Sequence, residues 1–417
     1  MSKVMPFKGL RPKKDIAHKL AELPYDVVNS SEAKKIAEGN IYSFFHVSKP
    51  EIDLPADTEI HSQIVYDTAR KNLDRFIGEG YIFQEDKPCF YIYREIMPYN
   101  NREFIQTGLV ACASCEEYEK DTIKKHELTR KDKEDDRTKH IEVLESQTGP
   151  VFLTYIARKT IDELISKLTA KEPAYKFTSS DNVEHIFWVI NDDKDINEIR
   201  KEFEKTDILY VADGHHRSAS AVRVMKKKRS NNKNHTGNEE YNFFLSVIFP
   251  HDQMNILEYN RLVKDLNGLT EKELIEKIND NFEIKNIGKI NFKPSKEHSF
   301  GMYLNSNWYE LTAKKNSYNA GDPVESLDVS ILQNNLLDRI LGIKDPRTDK
   351  RIDFVGGIRG LDELVKRVDS GDFALAFSMY PTSIDQLINV SKAGKIMPPK
   401  STWFEPKLRD GLVIHNI

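Results

Sequence analysis

Apolar positions along the chain follow two different periods, which predicts a mixture of helices and strands. Within 59–79 they recur at helical spacing, and two glycines close that segment. Two strand-like runs follow, 90–96 and 104–115, joined by a polar connection typical of a hairpin. The N-terminal part therefore combines an amphipathic helix with a pair of antiparallel strands.

Helical and extended patterns then alternate toward the middle of the chain. We expect a helix at 161–170, a strand at 185–190 and a helix at 196–203. Such alternation predicts an α/β, or mixed α+β, fold with a binding site at the end of a strand. Past about residue 265 the units become shorter, so we expect one domain at 1–265 and a second α/β domain at 266–417.

The sharpest local signal is a strand that turns into a helix at Asp213 and Gly214. Residues 208–212 read as a short buried strand, and 215–229 follows a helical pattern. A helix start presents unpaired amides and the positive end of the macrodipole, and glycine lets an anion approach the backbone. Three donor side chains follow at once: His215, His216 and Arg217. We expect a phosphate cradle, against the simpler alternative of an Asp213 N-cap beside surface histidines.

A second candidate lies in 116–138, where apolar residues nearly vanish. We expect an inserted charged loop, either merely solvated or acting as a lid over a ligand. Its chemistry-bearing side chains are His126, Glu127, Asp136 and Arg137. Such groups can accept a proton and clamp a phosphate.

Proline-punctuated segments near both ends offer further candidates. After Pro24, the pair Tyr25 and Asp26 is held rigidly, either as a plain turn or as part of a substrate pocket. In the tail 397–402, prolines hold a lysine and two hydroxyls in an extended presentation. These residues, Lys400, Ser401 and Thr402, could clamp a phosphate or carboxylate, or simply pack for stability.

Several of these stretches resemble known families. The string Asp213-Gly214-His215-His216-Arg217 resembles the phosphate-binding motif of the ParB/sulfiredoxin-like nucleotide-binding superfamily, and most closely that of its free serine kinases. Over nearly its full length the chain resembles a bacterial and archaeal domain-of-unknown-function family (DUF1015). The stretches that carry this second resemblance are 7–12, 24–27, 125–129 with 136–137, 213–217 and 397–402.

The resemblance implies a ParB/sulfiredoxin-like core with an N-terminal extension, and a kinase that transfers phosphate from ATP or ADP to free L-serine. Phosphoryl transfer needs a cradle, usually a divalent metal, and a group near the acceptor hydroxyl. Carboxylates from Asp213 or Asp136 would suit Mg²⁺. We expect Glu127 to accept the hydroxyl proton, with Asp26 as the alternative, beside His126 and Asp213 as further catalytic groups. About two hundred residues precede the motif, so another small hydroxyl-bearing acceptor stays open.

Three other functions fit parts of this pattern less well. A nucleotide-dependent switch of the ParB type would bind nucleic acid, but no helix-turn-helix pattern or basic face is evident. Sulfiredoxin-like reduction needs a cysteine where this chain has His215. A metal-dependent hydrolase could use His126, His215 and His216, although adjacent helical positions diverge by about 100°.

Composition narrows the function classes further. The 417 residues are 39% hydrophobic and 31% charged, with a formal net charge of −4. That balance is typical of a globular protein and gives no overall basic field for nucleic acid. The sequence has no long apolar run and no signal-peptide core, so we expect a cytoplasmic protein without a membrane partner. We expect a small-molecule substrate, and a homodimer is left open. Cys112 and Cys115 form a C-x-x-C in a strand-like run, so we expect structural thiols.

Overall fold

The computed structural model describes residues 2–417 and divides them into two units. The first unit comprises 2–254 together with 406–417, and the second comprises 255–405. The chain therefore leaves the first unit once and returns to it with its last residues. Each unit is described by itself below.

The first unit is built around a mixed β-sheet with helices on it. Its strands before the chain leaves the unit are β1 (Val4–Met5), β2 (Leu10–Pro12), β3 (Ile82–Gln84), β4 (Phe90–Tyr99), β5 (Arg102–Ser114), β6 (Ile123–Lys124), β7 (Ser146–Gln147), β8 (Val151–Tyr155), β9 (Tyr175–Thr178), β10 (Glu184–Ile190), β11 (Leu209–Asp213) and β12 (Phe243–Pro250). Its helices are α1 (Ala17–Leu20), α2 (Ser30–Ala37), α3 (Phe45–Ser48), α4 (Gln63–Gly78), α5 (Cys115–Glu119), α6 (Lys131–Leu144), α7 (Lys159–Thr169), α8 (Asp193–Glu204) and α9 (His215–Asn231).

The main sheet runs in the order β6-β11-β8-β12-β5-β4-β10-β9, and β1 also pairs with β5. The pairs β11–β6 and β12–β8 are parallel, whereas the other pairs are antiparallel. Strands β4 and β5 form the expected hairpin, and Asn100 and Asn101 at its turn adopt positive φ, which asparagine tolerates well. This arrangement confirms the mixed α/β fold class.

Burial of helix faces against this sheet creates the main hydrophobic core. Leu164 and Leu168 of α7, Phe203 of α8 and Met225 of α9 lie in one buried cluster with residues of β4, β5, β8, β11 and β12. At about 25 cal/mol per Å² of apolar surface removed from water, such burial is the main force that holds helices on the sheet. Helix α9 is therefore fixed along its length, which fixes the position of its first turn.

The second unit has its own antiparallel sheet in the order β15-β17-β16-β19-β14-β18 and a separate pair β13–β20. Its strands are β13 (Asn255–Leu257), β14 (Tyr259–Val263), β15 (Phe282–Gly288), β16 (Ser299–Leu304), β17 (Asn307–Ala313), β18 (Ile352–Gly356), β19 (Leu375–Ser378) and β20 (Trp403–Glu405). Its helices are α10 (Glu271–Ile278), α11 (Asp328–Leu332), continued by a π-helical stretch, α12 (Gly360–Asp369) and α13 (Ile384–Lys392). This unit has its own hydrophobic core, in which Trp308 is fully buried.

The expected division at residue 265 differs from the structure in two respects. The second unit already begins at Asn255, and the segment 406–417, expected in the C-terminal domain, belongs to the first unit. There it forms β21 (His415–Asn416), which pairs with β7, while Ile414 is fully buried. A strand pairing across more than half of the chain leaves no local signal in the sequence.

The charged segment 116–138 is also different from expectation. Instead of one loop, it contains most of α5, all of β6 and the beginning of α6. The sequence signal for α6 is its pair of acidic residues, Asp132 and Glu134, in the first turn, where negative charge favours a helix start. Its buried residues are few and partly polar, so the apolar period that identifies most helices is weak here.

Residues 2–417 contain no helix that combines the length and apolar content needed to cross a bilayer. The two C-x-x-C cysteines are both buried, and burial raises the pKa of each thiol. A raised pKa keeps these thiols protonated, which agrees with the structural role expected of them.

Candidate functional site

The predicted corner between strand and helix is present, with β11 ending at Asp213 and α9 beginning at His215. Gly214 between them has φ 88° and ψ 30°, a left-handed conformation that suits glycine. A Cβ at this position would lie 3.3 Å from Nε of Arg217 and from Cα of Val151. Glycine is therefore required both by the backbone angle and by the close approach of β8.

Asp213 is neutralised by a cation from the far end of the sequence. Its Oδ1 accepts a hydrogen bond from the Gly214 amide at 2.8 Å, and its Oδ2 lies 3.1 Å from Nζ of Lys407. Burial alone would raise the pKa of Asp213, but Lys407 and Arg217 outweigh it and hold the pKa well below its usual range. The carboxylate stays charged and paired, so it does not repel an anion at the helix start.

Arg217 projects from the first turn of α9 toward the loop before β8. One of its terminal nitrogens donates to the carbonyl of Pro150, whereas its Nε is buried and has no hydrogen-bond partner among the described residues. Burial lowers the pKa of Arg217, but Asp26 and Asp410 raise it by more, so the guanidinium stays charged. A buried N–H donor without a partner is costly, and a ligand oxygen would satisfy it.

Arg137 supplies a second guanidinium to the same place. It lies 3.9 Å above the ring centroid of Tyr25 and pairs with Asp136 at 2.7 Å. Asp136 also accepts a hydrogen bond from the hydroxyl of Tyr66 at 2.8 Å. Burial would raise the pKa of Asp136, but the opposing effects, of which the charge of Arg137 is the largest, lower it to about 2. Arg137 is thus held in position by a carboxylate behind it and an aromatic face beneath it.

Arg137, Arg217 and Tyr25 line one cleft that opens to solvent. The side chains that give it chemical character are Tyr25, Arg137, His140, Arg217 and Asp410, and Gly149 forms part of its wall. The residues predicted from three distant segments, 24–27, 136–137 and 213–217, therefore meet in one place. Asp26 is exposed at the edge of this group, close enough to be the largest charge that raises the pKa of Arg217.

Asp410, like His140, is a residue of the cleft that the sequence did not reveal. It is 1% exposed, and its Oδ1 has no hydrogen-bond partner among the described residues. A Cβ on Gly149 would lie 2.5 Å from that oxygen, so only glycine leaves room for it. Burial raises the pKa of Asp410 to about 7, opposed by Arg217. Nothing in the local sequence marks this aspartate, because its setting is made by the return of 406–417 to the first unit.

His126 and His215 form a buried pair beside the first turn of α9. Their Nε2 atoms are 3.4 Å apart and their ring planes are nearly perpendicular, at 86°. Burial lowers the pKa of His126 to about 4 and that of His215 well below its ordinary value, so both imidazoles are neutral near pH 7. Glu127 is the third member of this cluster, and one ligand atom from each of the three residues lies within 4.8 Å of the others.

His216 takes a different direction from its neighbour. Its Nε2 accepts a hydrogen bond from the backbone amide of Arg130 at 3.0 Å, which ties the start of α6 to the start of α9. The consecutive histidines thus have separate surroundings, as the angular spacing of a helix requires.

The tail residues Lys400, Ser401 and Thr402 belong to the second unit. Ser401 donates to the carbonyl of Pro398 and its own carbonyl accepts from Thr382 at 2.9 Å, while Lys400 adopts φ 59° and places Nζ 5.3 Å from the ring centroid of Tyr259. These contacts give the tail a packing role within its own unit. A contribution to the phosphate cradle stays a prediction.

A family model described as "Protein of unknown function (DUF1015)" matches residues 4–330. No curated protein matches the chain. The family resemblance expected from the sequence is therefore confirmed.

Three solved structures similar to this chain have low identity to it. One is a conserved hypothetical protein from Pyrococcus furiosus, with 16% identity, 70% of this chain and 90% of that chain covered, and a TM-score of 0.34. Another is a free serine kinase in complex with AMP, with 12% identity, 70% and 88% covered, and a TM-score of 0.36. The third is SbnI with a C-terminal truncation from Staphylococcus aureus, with 10% identity, 72% and 85% covered, and a TM-score of 0.37. At these TM-scores, no residue role is transferred to this chain.

The buried carboxyl of Asp410 generates a prediction about stability and pH. In the folded protein it keeps its proton up to about pH 7, whereas in the unfolded chain it ionises near its ordinary pKa of 3.8. The folded state therefore binds more protons between these pH values, and this residue makes stability fall as pH rises through that window.

The variant Asp410→Asn removes this dependence. Between pH 5 and pH 8, its free energy of unfolding should gain about 2 to 3 kcal/mol relative to the unsubstituted protein, as urea titrations would measure. The matched control is Asp193→Asn, which alters an aspartate whose side chain is 84% exposed and should leave the pH dependence unchanged. An identical pH profile for Asp410→Asn and the unsubstituted protein would contradict the buried, protonated state.

Proposed function

This chain belongs to the family described as "Protein of unknown function (DUF1015)", and within that family we propose that it is a phosphotransferase. It would transfer a phosphoryl group from ATP or ADP to a small hydroxyl-bearing acceptor, with free L-serine as the leading candidate. The observation that carries the proposal is the cleft lined by two buried arginines, Arg137 and Arg217, of which Arg217 belongs to the first turn of α9.

The first step of the argument concerns the phosphate chain of the nucleotide. The first amides of a helix have no intrahelical partner, and the macrodipole adds a partial positive charge there. At this helix start, Lys407 neutralises the adjacent carboxylate of Asp213, and Nε of Arg217 is a donor without a partner among the described residues. Together these groups suit the oxygens of a nucleoside di- or triphosphate.

The second step concerns the acceptor. A free amino acid carries both an ammonium and a carboxylate, so its site needs an anion and a cation a few ångströms apart. The cleft offers Asp410, whose Oδ1 has no partner among the described residues and whose buried carboxyl would give up its proton beside a bound ammonium. It also offers Arg137, whose position is fixed by Tyr25 and Asp136. We assign the ammonium to Asp410 and the carboxylate to Arg137, which leaves Arg217 to the phosphates.

The third step is the transfer. The acceptor hydroxyl oxygen forms a bond to the terminal phosphorus, the bond from that phosphorus to the bridging oxygen breaks, and ADP or AMP leaves. The hydroxyl proton passes to a carboxylate, for which Glu127 is the first candidate and Asp26 the alternative. His126 is neutral and adjoins Glu127, so it can orient that carboxylate or share in holding a cation.

The assay that tests this proposal uses purified protein with ATP or ADP, a divalent cation and a panel of hydroxyl amino acids and simple sugars. We expect an acceptor-dependent phosphorylated product, with serine the best acceptor. Slow hydrolysis without any acceptor dependence would favour the nucleotide switch instead. An absence of both product and hydrolysis, together with no nucleotide binding by calorimetry, would contradict the proposal.

The role of Arg217 is tested by nucleotide affinity. The variant Arg217→Ala should weaken binding of ADP or a non-hydrolysable ATP analogue by about 1.5 to 3 kcal/mol, the value of a charge-assisted hydrogen bond. Calorimetry measures this directly. Arg223→Ala is the matched control, because Arg223 lies on the same helix but pairs with Glu134 and Asp135 at the surface. Equal affinities for the two variants would remove Arg217 from the cradle.

A further inference from the structure

The buried histidine pair is poorly explained as a purely structural contact. His126 is 1% exposed and His215 5% exposed, yet Nδ1 of each ring has no hydrogen-bond partner among the described residues. Their Nε2 atoms, 3.4 Å apart, are farther from each other than in an ordinary hydrogen bond, for which about 2.7 to 3.2 Å is usual. Two neutral imidazoles are thus buried with little mutual stabilisation, although unsatisfied buried polar atoms cost free energy.

The distance between these two nitrogens also fits two ligands of one metal ion. Nitrogens bound at about 2.0 to 2.1 Å to a tetrahedral ion are about 3.3 to 3.4 Å apart. This matches the distance between the two Nε2 atoms. A metal ion between the rings would replace the weak contact by two coordinate bonds.

Glu127 supplies the third donor and the negative charge. Its carboxylate lies in the same group of ligand atoms, all within 4.8 Å of one another. Two imidazoles and one carboxylate form a donor set that suits zinc, cobalt or manganese better than magnesium, which prefers oxygen ligands and keeps several waters. Three protein ligands leave a further coordination position for water or a ligand oxygen.

We propose that His126, Glu127 and His215 form a binding site for one divalent transition-metal ion at the first turn of α9. As the cation of the transfer reaction, an ion bound here would contact phosphate oxygens held at the helix start. This part of the proposal rests on the proposed function. It replaces the magnesium ligands expected from the sequence, because Asp213 and Asp136 are already paired with Lys407 and Arg137.

A metal at this site also changes the choice of proton acceptor. A carboxylate that coordinates a cation is a weaker base, because the cation stabilises its ionised form. If Glu127 binds the ion, Asp26 is the carboxylate at the helix start that takes the hydroxyl proton. It is exposed, and its negative charge acts on both Arg217 and His216.

The test is a titration of the metal-stripped protein with Co²⁺, without nucleotide or acceptor. We expect one equivalent to bind, with the intense visible absorption of a four- or five-coordinate ion rather than the weak bands of the hydrated octahedral ion. His126→Gln and His215→Gln should each lower the affinity by at least about 100-fold, and Glu127→Gln should lower it by about 10-fold or more.

The control is His216→Gln, which alters the neighbouring histidine on the same helix, whose Nε2 instead accepts from Arg130. Its Co²⁺ affinity and spectrum should equal those of the unsubstituted protein. Equal loss in this variant, an octahedral spectrum, or no binding to the unsubstituted protein would overturn the proposal.

A second measurement does not depend on the folding of any variant. X-ray absorption at the zinc edge of the unsubstituted protein with one equivalent of Zn²⁺ should show two imidazole ligands at about 2.0 to 2.1 Å. A shell of oxygen ligands alone would overturn the site. Because neither experiment contains nucleotide or acceptor, failure of the kinase assay leaves the metal result standing, and failure of metal binding leaves the phosphoryl-transfer assay to be judged by itself.

Discussion

The site depends on one backbone constraint, the change from strand to helix at a single residue. Gly214 adopts a left-handed conformation, and its missing Cβ leaves space for the backbone of β8 and for Arg217. Any other residue would meet both conformational strain and close contacts there. Because α9 is packed on the sheet by its buried side chains, the direction of its first turn is fixed before any ligand binds.

Charge balance around this corner explains how so many ionised groups can lie together. Asp213 is paired with Lys407, and Asp136 with Arg137, so two carboxylates are already neutralised within the protein. Arg217 is the exception: acidic residues raise its pKa, yet its buried Nε donor has no partner within residues 2–417. An incoming phosphate would satisfy this donor without displacing the paired groups, which keeps the cost of reorganisation small.

Features that depend on neighbouring residues could be predicted from the sequence, whereas features that depend on contacts between distant segments could not. The strand, the glycine and the helix of 208–229 are encoded within one short stretch, and they were predicted correctly. Residues 43–47 show the contrast: their apolar side chains alone favour a strand, yet α3 (Phe45–Ser48) is a helix, with Phe45 and Val47 buried in two different clusters. An apolar run buried on several sides has no period that distinguishes a helix from a strand. Asp410 and Lys407 were missed for another reason, since only the return of the chain end brings them to the corner.

The central claim is that the backbone and Arg217 at 213–217 hold a chain of phosphate oxygens. The most direct measurement is a crystal structure of the protein with a non-hydrolysable ATP analogue. The account predicts phosphate oxygens about 2.7 to 3.2 Å from the amides of the first turn of α9 and from Nε of Arg217. Phosphates bound elsewhere, or lying in solvent while this helix start contacts no ligand, would contradict it.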